Sequence, residues 1–92
     1  MSLKKARAFS RTREGRRFDA RERLIFDITE DLCRIMEDKG VSKSELARRT
    51  GVSQAYITKI LRDGSSFTLG KVSDLFFALG YEVIIYVRHI SR

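Results

Sequence analysis

Residue types that perform catalysis are rare in this chain, and their spacing does not support a reaction. The sequence contains one histidine, His89, and one cysteine, Cys33. These two residues form neither a metal-binding cluster nor a nucleophile–base pair, and no carboxylate pair or phosphate-binding loop stands at a useful spacing. We interpret Cys33 as a small apolar residue and His89 as an exposed or structural one. The sequence therefore predicts no enzyme activity, no metal and no cofactor.

The side chains that remain are suited to binding, and a dense group of them lies in residues 54–62. Ile57 and Ile60 in this segment would fall on one side of a helix, facing a core. The opposite side would carry an amide, a methyl group, a hydroxyl and two cations: Gln54, Ala55, Thr58, Lys59 and Arg62. Such a helix can be held against a fold by its apolar side while its polar side meets a large partner.

The charge of the chain favours a polyanionic partner. The formal net charge is +7, and residues 1–19 hold +5 of it, because seven Lys and Arg residues there face only Glu14 and Asp19. A basic balance is typical of proteins that bind nucleic acid or an anionic membrane surface. No apolar run approaches the roughly 20 residues that span a bilayer, and no secretory signal is evident. A lone cysteine fits a reducing compartment, so we expect a soluble cytoplasmic protein.

Cap residues and apolar periodicity divide the chain into an arm and one domain. Residues 1–18 show no amphipathic period and are predicted to be a basic, flexible arm, and residues 19–92 form the domain. Asp19 is the predicted N-cap of a first helix that ends at Gly40. Three further helices are predicted to begin after cap residues Ser42, Ser53 and Thr68. The last of them ends at Gly80.

The pattern after Gly80 changes from that of a helix to that of a strand. Residues 81–88 are rich in β-branched and aromatic side chains, which favours an extended conformation. A single strand cannot satisfy its own backbone groups, so we expect it to pair with the same strand of a second copy across a two-fold axis. The alternative is that it folds back onto the arm. The predicted dimer interface consists of Tyr81, Val83, Ile84, Ile85, Tyr86 and Val87.

The second and third predicted helices have the steric features of a helix-turn-helix. Ala47 is small where the two helices must cross, and Gly51 can adopt the positive φ that the turn needs. Ile57 is stiff and apolar on the inner side of the third helix. The predicted fold is therefore mainly α, with four helices followed by one C-terminal β-strand.

Residues 42–64 resemble the helix-turn-helix of the Xre/Cro family and of lambdoid phage repressors, with Leu46, Ala47, Gly51 and Ile57 at the family's spacing. The resemblance extends through the fourth helix and, more loosely, through the first. It implies a lambda-repressor-like domain that binds DNA, is not an enzyme and is usually dimeric. Phage repressors end in a fifth helix where this sequence has its predicted strand, so the resemblance does not supply the dimer geometry.

The resemblance also implies a role for individual residues. Four of them are predicted to contact bases in the major groove, where a Gln amide can bond adenine N6 and N7 and a methyl group can touch thymine: Gln54, Ala55, Thr58 and Lys59. Five are predicted to contact phosphates: Lys43, Ser44, Ser53, Tyr56 and Arg62. Tyr56 has the alternative of packing on the second helix. Arg48 and Arg49 are expected to be solvated.

Two functions of different classes fit these features. The first is a sequence-specific repressor of transcription that inserts the helix of residues 54–62 into the major groove of double-stranded DNA. The second is an antitoxin, which binds a toxin protein and represses its own operon. RNA binding has less support because no aromatic stacking platform is evident. The basic arm is interpreted as a solvated tail, with entry into a minor groove as its alternative.

Overall fold

The computed structural model describes residues 13–64 and 67–90, and it describes side chains from residue 15 onward. Four helices follow one another in this part of the chain: α1 (Arg13–Lys39), α2 (Lys43–Thr50), α3 (Gln54–Asp63) and α4 (Leu69–Ala78). Helix α3 packs against both α1 and α2, and α2 also packs against α4. The predicted mainly α, four-helix domain is therefore present.

Three of the predicted N-caps are confirmed, and each shows the expected hydrogen bond. The Ser42 hydroxyl accepts from the Glu45 N–H at 3.1 Å, the Ser53 hydroxyl from the Tyr56 N–H at 3.0 Å, and the Thr68 hydroxyl from the Lys71 N–H at 3.1 Å. Such bonds satisfy backbone donors that the first turn of a helix leaves without partners. The starts of α2, α3 and α4 are thus fixed locally, each by its own cap.

The start of α1 differs from the prediction. The helix begins at Arg13 rather than after Asp19, and Asp19 is an interior residue of α1 with 6% of its surface exposed. A cap residue favours the start of a helix at its position but does not enforce it. The residues before Asp19 include Arg and Glu, which propagate a helix well, and contain no proline. Residues 13–18 of the predicted flexible arm are therefore helical, and residues 1–12 lie outside the described residues.

The core lies where the four helices meet. Five side chains are fully enclosed, and each helix contributes at least one of them: Leu32, Leu46, Ile57, Ile60 and Leu75. Ala47 is 6% exposed and Gly51 ends α2 with a φ of +79°, so both residues occupy the places predicted for them in the turn. The helix-turn-helix therefore forms part of the core itself.

The predicted C-terminal strand is not formed in the single chain. Helix α4 closes with hydrogen bonds from Gly80 N–H to the Phe77 carbonyl and from Tyr81 N–H to the Phe76 carbonyl, both of 2.9 Å. Residues 81–90 then run on without regular structure and remain exposed. A strand needs a second extended segment beside it, and residues 13–64 and 67–80 do not offer one. The alternative of pairing with the arm does not involve residues 13–18, which are helical, and residues 1–12 lie outside the described part.

Candidate nucleic-acid interface

Helix α3 has one buried side and one open side. Ile57 and Ile60 have none of their surface exposed, and they hold the inner side against α1 and α2. The outer side carries the predicted base-contacting residues, all of them exposed: Gln54, Ala55, Thr58 and Lys59. The apolar side that anchors the helix and the polar side that is free to bind are thus separated as the spacing predicted.

The N-termini of α2 and α3 both carry exposed polar side chains. Lys43 and Ser44 open α2 and are exposed, and Ser53 caps α3 beside the outer face. The Ser53 oxygen accepts the Tyr56 N–H, which leaves its O–H free to donate to an anion. Helix N-termini favour anions because their N–H groups point outward. Ser53 therefore offers a hydroxyl donor at the start of α3, and Lys43 and Ser44 offer a cation and a hydroxyl at the start of α2.

Tyr56 lies in the first turn of α3 and packs against the core, and its contact with a phosphate stays a prediction. Its ring is half-buried against the core, and Lys71 of α4 places its Nζ 5.9 Å from the ring centroid. Burial raises the pKa of the Tyr56 phenol, so the hydroxyl stays protonated at neutral pH and can donate a hydrogen bond. Arg62 is exposed in the last turn of α3, at the other end of the helix.

Arg48 and Arg49 are exposed, as predicted, and both are also ion-paired with Glu45. The Glu45 carboxylate binds both guanidinium groups, with Arg49 Nε at 2.8 Å, and hydrogen bonds from Arg48 and then Arg49 hold the pKa of Glu45 below its usual value. Arg49 also donates to the Ala78 carbonyl at 3.1 Å and so ties α2 to the end of α4. The Glu45 carboxylate thus holds these two cations together on the surface of α2.

Two exposed apolar residues were missed in the sequence. Leu69 and Phe77 of α4 have 73% and 75% of their surface exposed. They lie off the stripe of Val72, Leu75 and Phe76 that faces the core, and that offset was a signal that could have found them. Phe77 precedes the exposed residues 81–87 closely, so the end of α4 and the C-terminal segment carry a run of uncovered apolar side chains.

Neither a metal site nor a membrane span is found in the described part of the chain. No group of three or more His, Cys, Asp or Glu side chains is placed to hold a metal ion among those residues. No helix among them has the length and apolar content needed to cross a bilayer. Burial raises the pKa of Cys33, the largest of the effects on its thiol, which disfavours the reactive thiolate.

The enclosed α2–turn–α3 unit with an open polar helix defines a DNA-binding regulatory domain of the helix-turn-helix class. The helix-turn-helix family of the Xre and lambda-repressor type matches residues 34–83. This match covers more than half of the chain, and the protein belongs to that family. No curated protein and no solved structure matches the chain significantly.

Proposed function

We propose that the protein is a sequence-specific regulator of transcription, acting as a repressor, that inserts α3 into the major groove of double-stranded DNA. The observation that carries this proposal is the two-sidedness of α3. Ile57 and Ile60 are fully enclosed, while the residues of the outer side are exposed. A helix about 10 Å across with its polar side free fits a major groove about 12 Å wide.

The proposed division of roles follows from position on this surface. Gln54 begins α3 and presents an amide, which can donate to and accept from one adenine at the same time. Ala55, Thr58 and Lys59 follow along the same side and contact neighbouring bases. Phosphates are contacted from the start of α2 by Lys43 and Ser44, from the start of α3 by Ser53 and Tyr56, and from its last turn by Arg62. These contacts set the position of the domain without reading sequence.

Gln54→Ala and Lys43→Ala are expected to change DNA binding in different ways. Loss of the Gln54 amide should reduce discrimination at one base position by about 1–3 kcal/mol. Loss of the Lys43 charge should weaken binding to every sequence alike and lower the salt dependence of binding by about one phosphate contact. Selection of bound duplexes from a random pool, followed by titrations at several salt concentrations, measures both quantities.

The same experiment tests the proposed function. The wild-type chain should enrich a defined, near-palindromic motif from the pool. Equal enrichment of all sequences would contradict sequence-specific regulation. A Gln54→Ala variant with unchanged base preference would contradict the assignment of α3 as the reading helix.

We further propose that two copies associate through the C-terminal segment and pair it as antiparallel strands. The supporting observation is exposure, because Ile84 and Tyr86 have 80% and 96% of their surface uncovered in the single chain. Contiguous apolar surface of this kind marks an interaction site. The remaining predicted interface residues are exposed in the same way, and Phe77 adds to them. A two-fold dimer presents two α3 helices to half-sites about 34 Å apart.

Ile85→Lys is expected to convert the dimer into a monomer. A two-fold pair of strands brings the copies of a central residue close together, where like charges repel each other. Ile85 is 62% exposed in the single chain, so the substitution should change the stability of the monomer by no more than about 0.5 kcal/mol. His89→Lys adds the same charge beyond the apolar run and should remain dimeric. Sedimentation equilibrium measures the outcome, and a monomeric wild type would refute the pairing.

The exposed apolar segment also supports an antitoxin as the second candidate. A toxin protein could cover residues 81–87 in place of a second copy, while α3 still binds the operon's own promoter. The two candidates differ in what accompanies the protein. Stoichiometric co-purification of one partner from the source cells, lost in Ile85→Lys and kept in His89→Lys, would favour the antitoxin. A homodimer that binds its operator tightly without a partner would favour the simple repressor.

A further inference from the structure

Helix α1 is much longer than the core requires. At about 1.5 Å per residue, a helix of this length extends for about 40 Å, and the described molecule measures 43 Å along its longest axis. The fully buried residue of α1 is Leu32, and Ile35 and Met36 join it in the core. The N-terminal half of α1 adds no apolar side chain to this core, although Asp19 within it is buried.

Helix α1 meets the end of α3 at Ile25. A Cβ added at Gly64, the C-cap of α3, would meet the Ile25 Cγ2 atom, so Ile25 lies directly over that helix end. Residues before Ile25 continue outward from there. Arg21 and Arg17 lie one and two helical turns further along.

Arg17 and Arg21 lie on the side of α1 that faces α3. Their spacing to Leu24 and Ile28 is i, i+4, i+7 and i+11, which follows one stripe of a helix. The same stripe reaches Leu32 and packs the helix onto the core. Ile28 and Leu32 of this stripe pack in the core, Leu24 at its edge is 62% exposed, and the cationic part continues along the stripe past the end of α3. We call Arg17 and Arg21 the arginine row.

The arginine row is free of compensating charge. Both guanidinium groups are exposed, and neither has an ion pair within residues 15–64 and 67–90. Among residues 15–27 of α1, the acidic residues Asp19, Glu22 and Asp27 lie roughly 80° or more around the helix axis from either arginine. From residue 15 to Ile25, the charged side chains on this side of α1 are therefore Arg17 and Arg21.

We infer that the arginine row contacts the DNA phosphates that flank the half-site bound by α3. This inference rests on the proposed insertion of α3 into the major groove. The two phosphate backbones of the duplex border the major groove, so they lie on either side of a helix that enters it. The row extends about 12 Å beyond Ile25, which corresponds to three or four base pairs at roughly 3.4 Å each. The site recognised by this chain is therefore longer than the bases read by α3.

The test compares two double variants that remove equal charge from the same helix. Arg17→Gln/Arg21→Gln neutralises the row, and Arg16→Gln/Arg23→Gln neutralises two exposed arginines roughly 130° away around α1. Gln and Arg have similar helix propensities, so both variants should melt as the wild type does. Binding to the selected operator is titrated from low to high salt, on a long duplex and on one trimmed to the bases that α3 covers.

The row variant should make the negative slope of log K against log salt shallower by about 1.8 for each bound monomer. The control variant should change this slope much less. On the trimmed duplex the row variant and the wild type should bind equally. If both variants lost the same amount of salt dependence, the effect would be one of general charge and the inference would be overturned. It would also be overturned if the row variant lost as much salt dependence on the trimmed duplex as on the long one. Failure of the wild type to bind any DNA would instead overturn the proposed function.

Discussion

Gly64→Ala should lower the free energy of unfolding by about 2–5 kcal/mol, through two separate costs. Gly64 ends α3 with a φ of +65°, a conformation that costs a residue with a Cβ about 1–2 kcal/mol. In addition, the new methyl group would overlap the Cγ2 atom of Ile25, so either the Ile25 side chain must rotate or α1 must shift away from the end of α3. For a domain of this size the total stability is on the order of 5–14 kcal/mol, and the loss is a large part of it.

Gly51→Ala is the matched control for the first of these costs. Gly51 has a φ of +79°, and a Cβ placed there would meet nothing within 4 Å. Its substitution should therefore cost only the conformational part, about 1–2 kcal/mol. Thermal or urea unfolding of both variants gives the difference between them, which measures the overlap with Ile25. If the two variants lose the same stability, α1 does not lie over the end of α3 as described.

Removing the opposing atom should rescue part of the loss. Ile25→Ala shortens the side chain that meets the new methyl group, so the Gly64→Ala/Ile25→Ala double variant should be more stable than the sum of the two single losses predicts. Coupling between residues in contact is about 0.5–3 kcal/mol. Strict additivity would contradict a direct contact between the two positions. The cycle also tests the anchor point from which the arginine row extends.

Local signals in the sequence predicted those features that depend on a few neighbouring residues. The caps at Ser42, Ser53 and Thr68 each bond an N–H only three residues away, so the type of one residue sufficed to place a helix start. The buried and exposed sides of α3 follow from periodicity within a single helix. The helix-turn-helix and its open polar face could therefore be predicted from residues 42–62 alone.

The features that the sequence did not predict depend on distant or absent partners. Arg49 bonds the carbonyl of Ala78, 29 positions away, and no pattern around Arg49 indicates that contact. The beginning of α1 differs from the prediction because the helix-forming residues before Asp19 outweigh the preference of Asp19 for a cap position. The strand of residues 81–88 was predicted from side-chain type, but an extended segment becomes a strand only beside a partner, which one chain does not supply.

Ile57→Ala should destabilise the fold by about 2–5 kcal/mol, because Ile57 is fully enclosed and its truncation leaves a cavity. For a domain of this size the melting temperature should fall by more than about 10 °C. Thr58→Ala is the control one residue further along α3. Thr58 is exposed on the outer side, so its loss should change stability by no more than about 0.5 kcal/mol. Calorimetry of the two variants measures this contrast.

The base preference of DNA binding should change in Thr58→Ala and stay unchanged in Ile57→Ala, which is the reverse of their effects on stability. A partly unfolded Ile57→Ala population lowers the apparent affinity by the fraction that remains folded, and this factor is the same for every duplex. Thr58→Ala keeps the folded population but removes a group that faces the bases, so it should change the ratio of affinities between operator variants. Measuring two operators that differ at one base pair, with each protein variant, gives both numbers. The opposite result would be an altered affinity ratio in Ile57→Ala and an unaltered ratio in Thr58→Ala. It would mean that the buried side of α3, rather than its outer side, determines recognition. That result would contradict the proposed orientation of α3 on DNA.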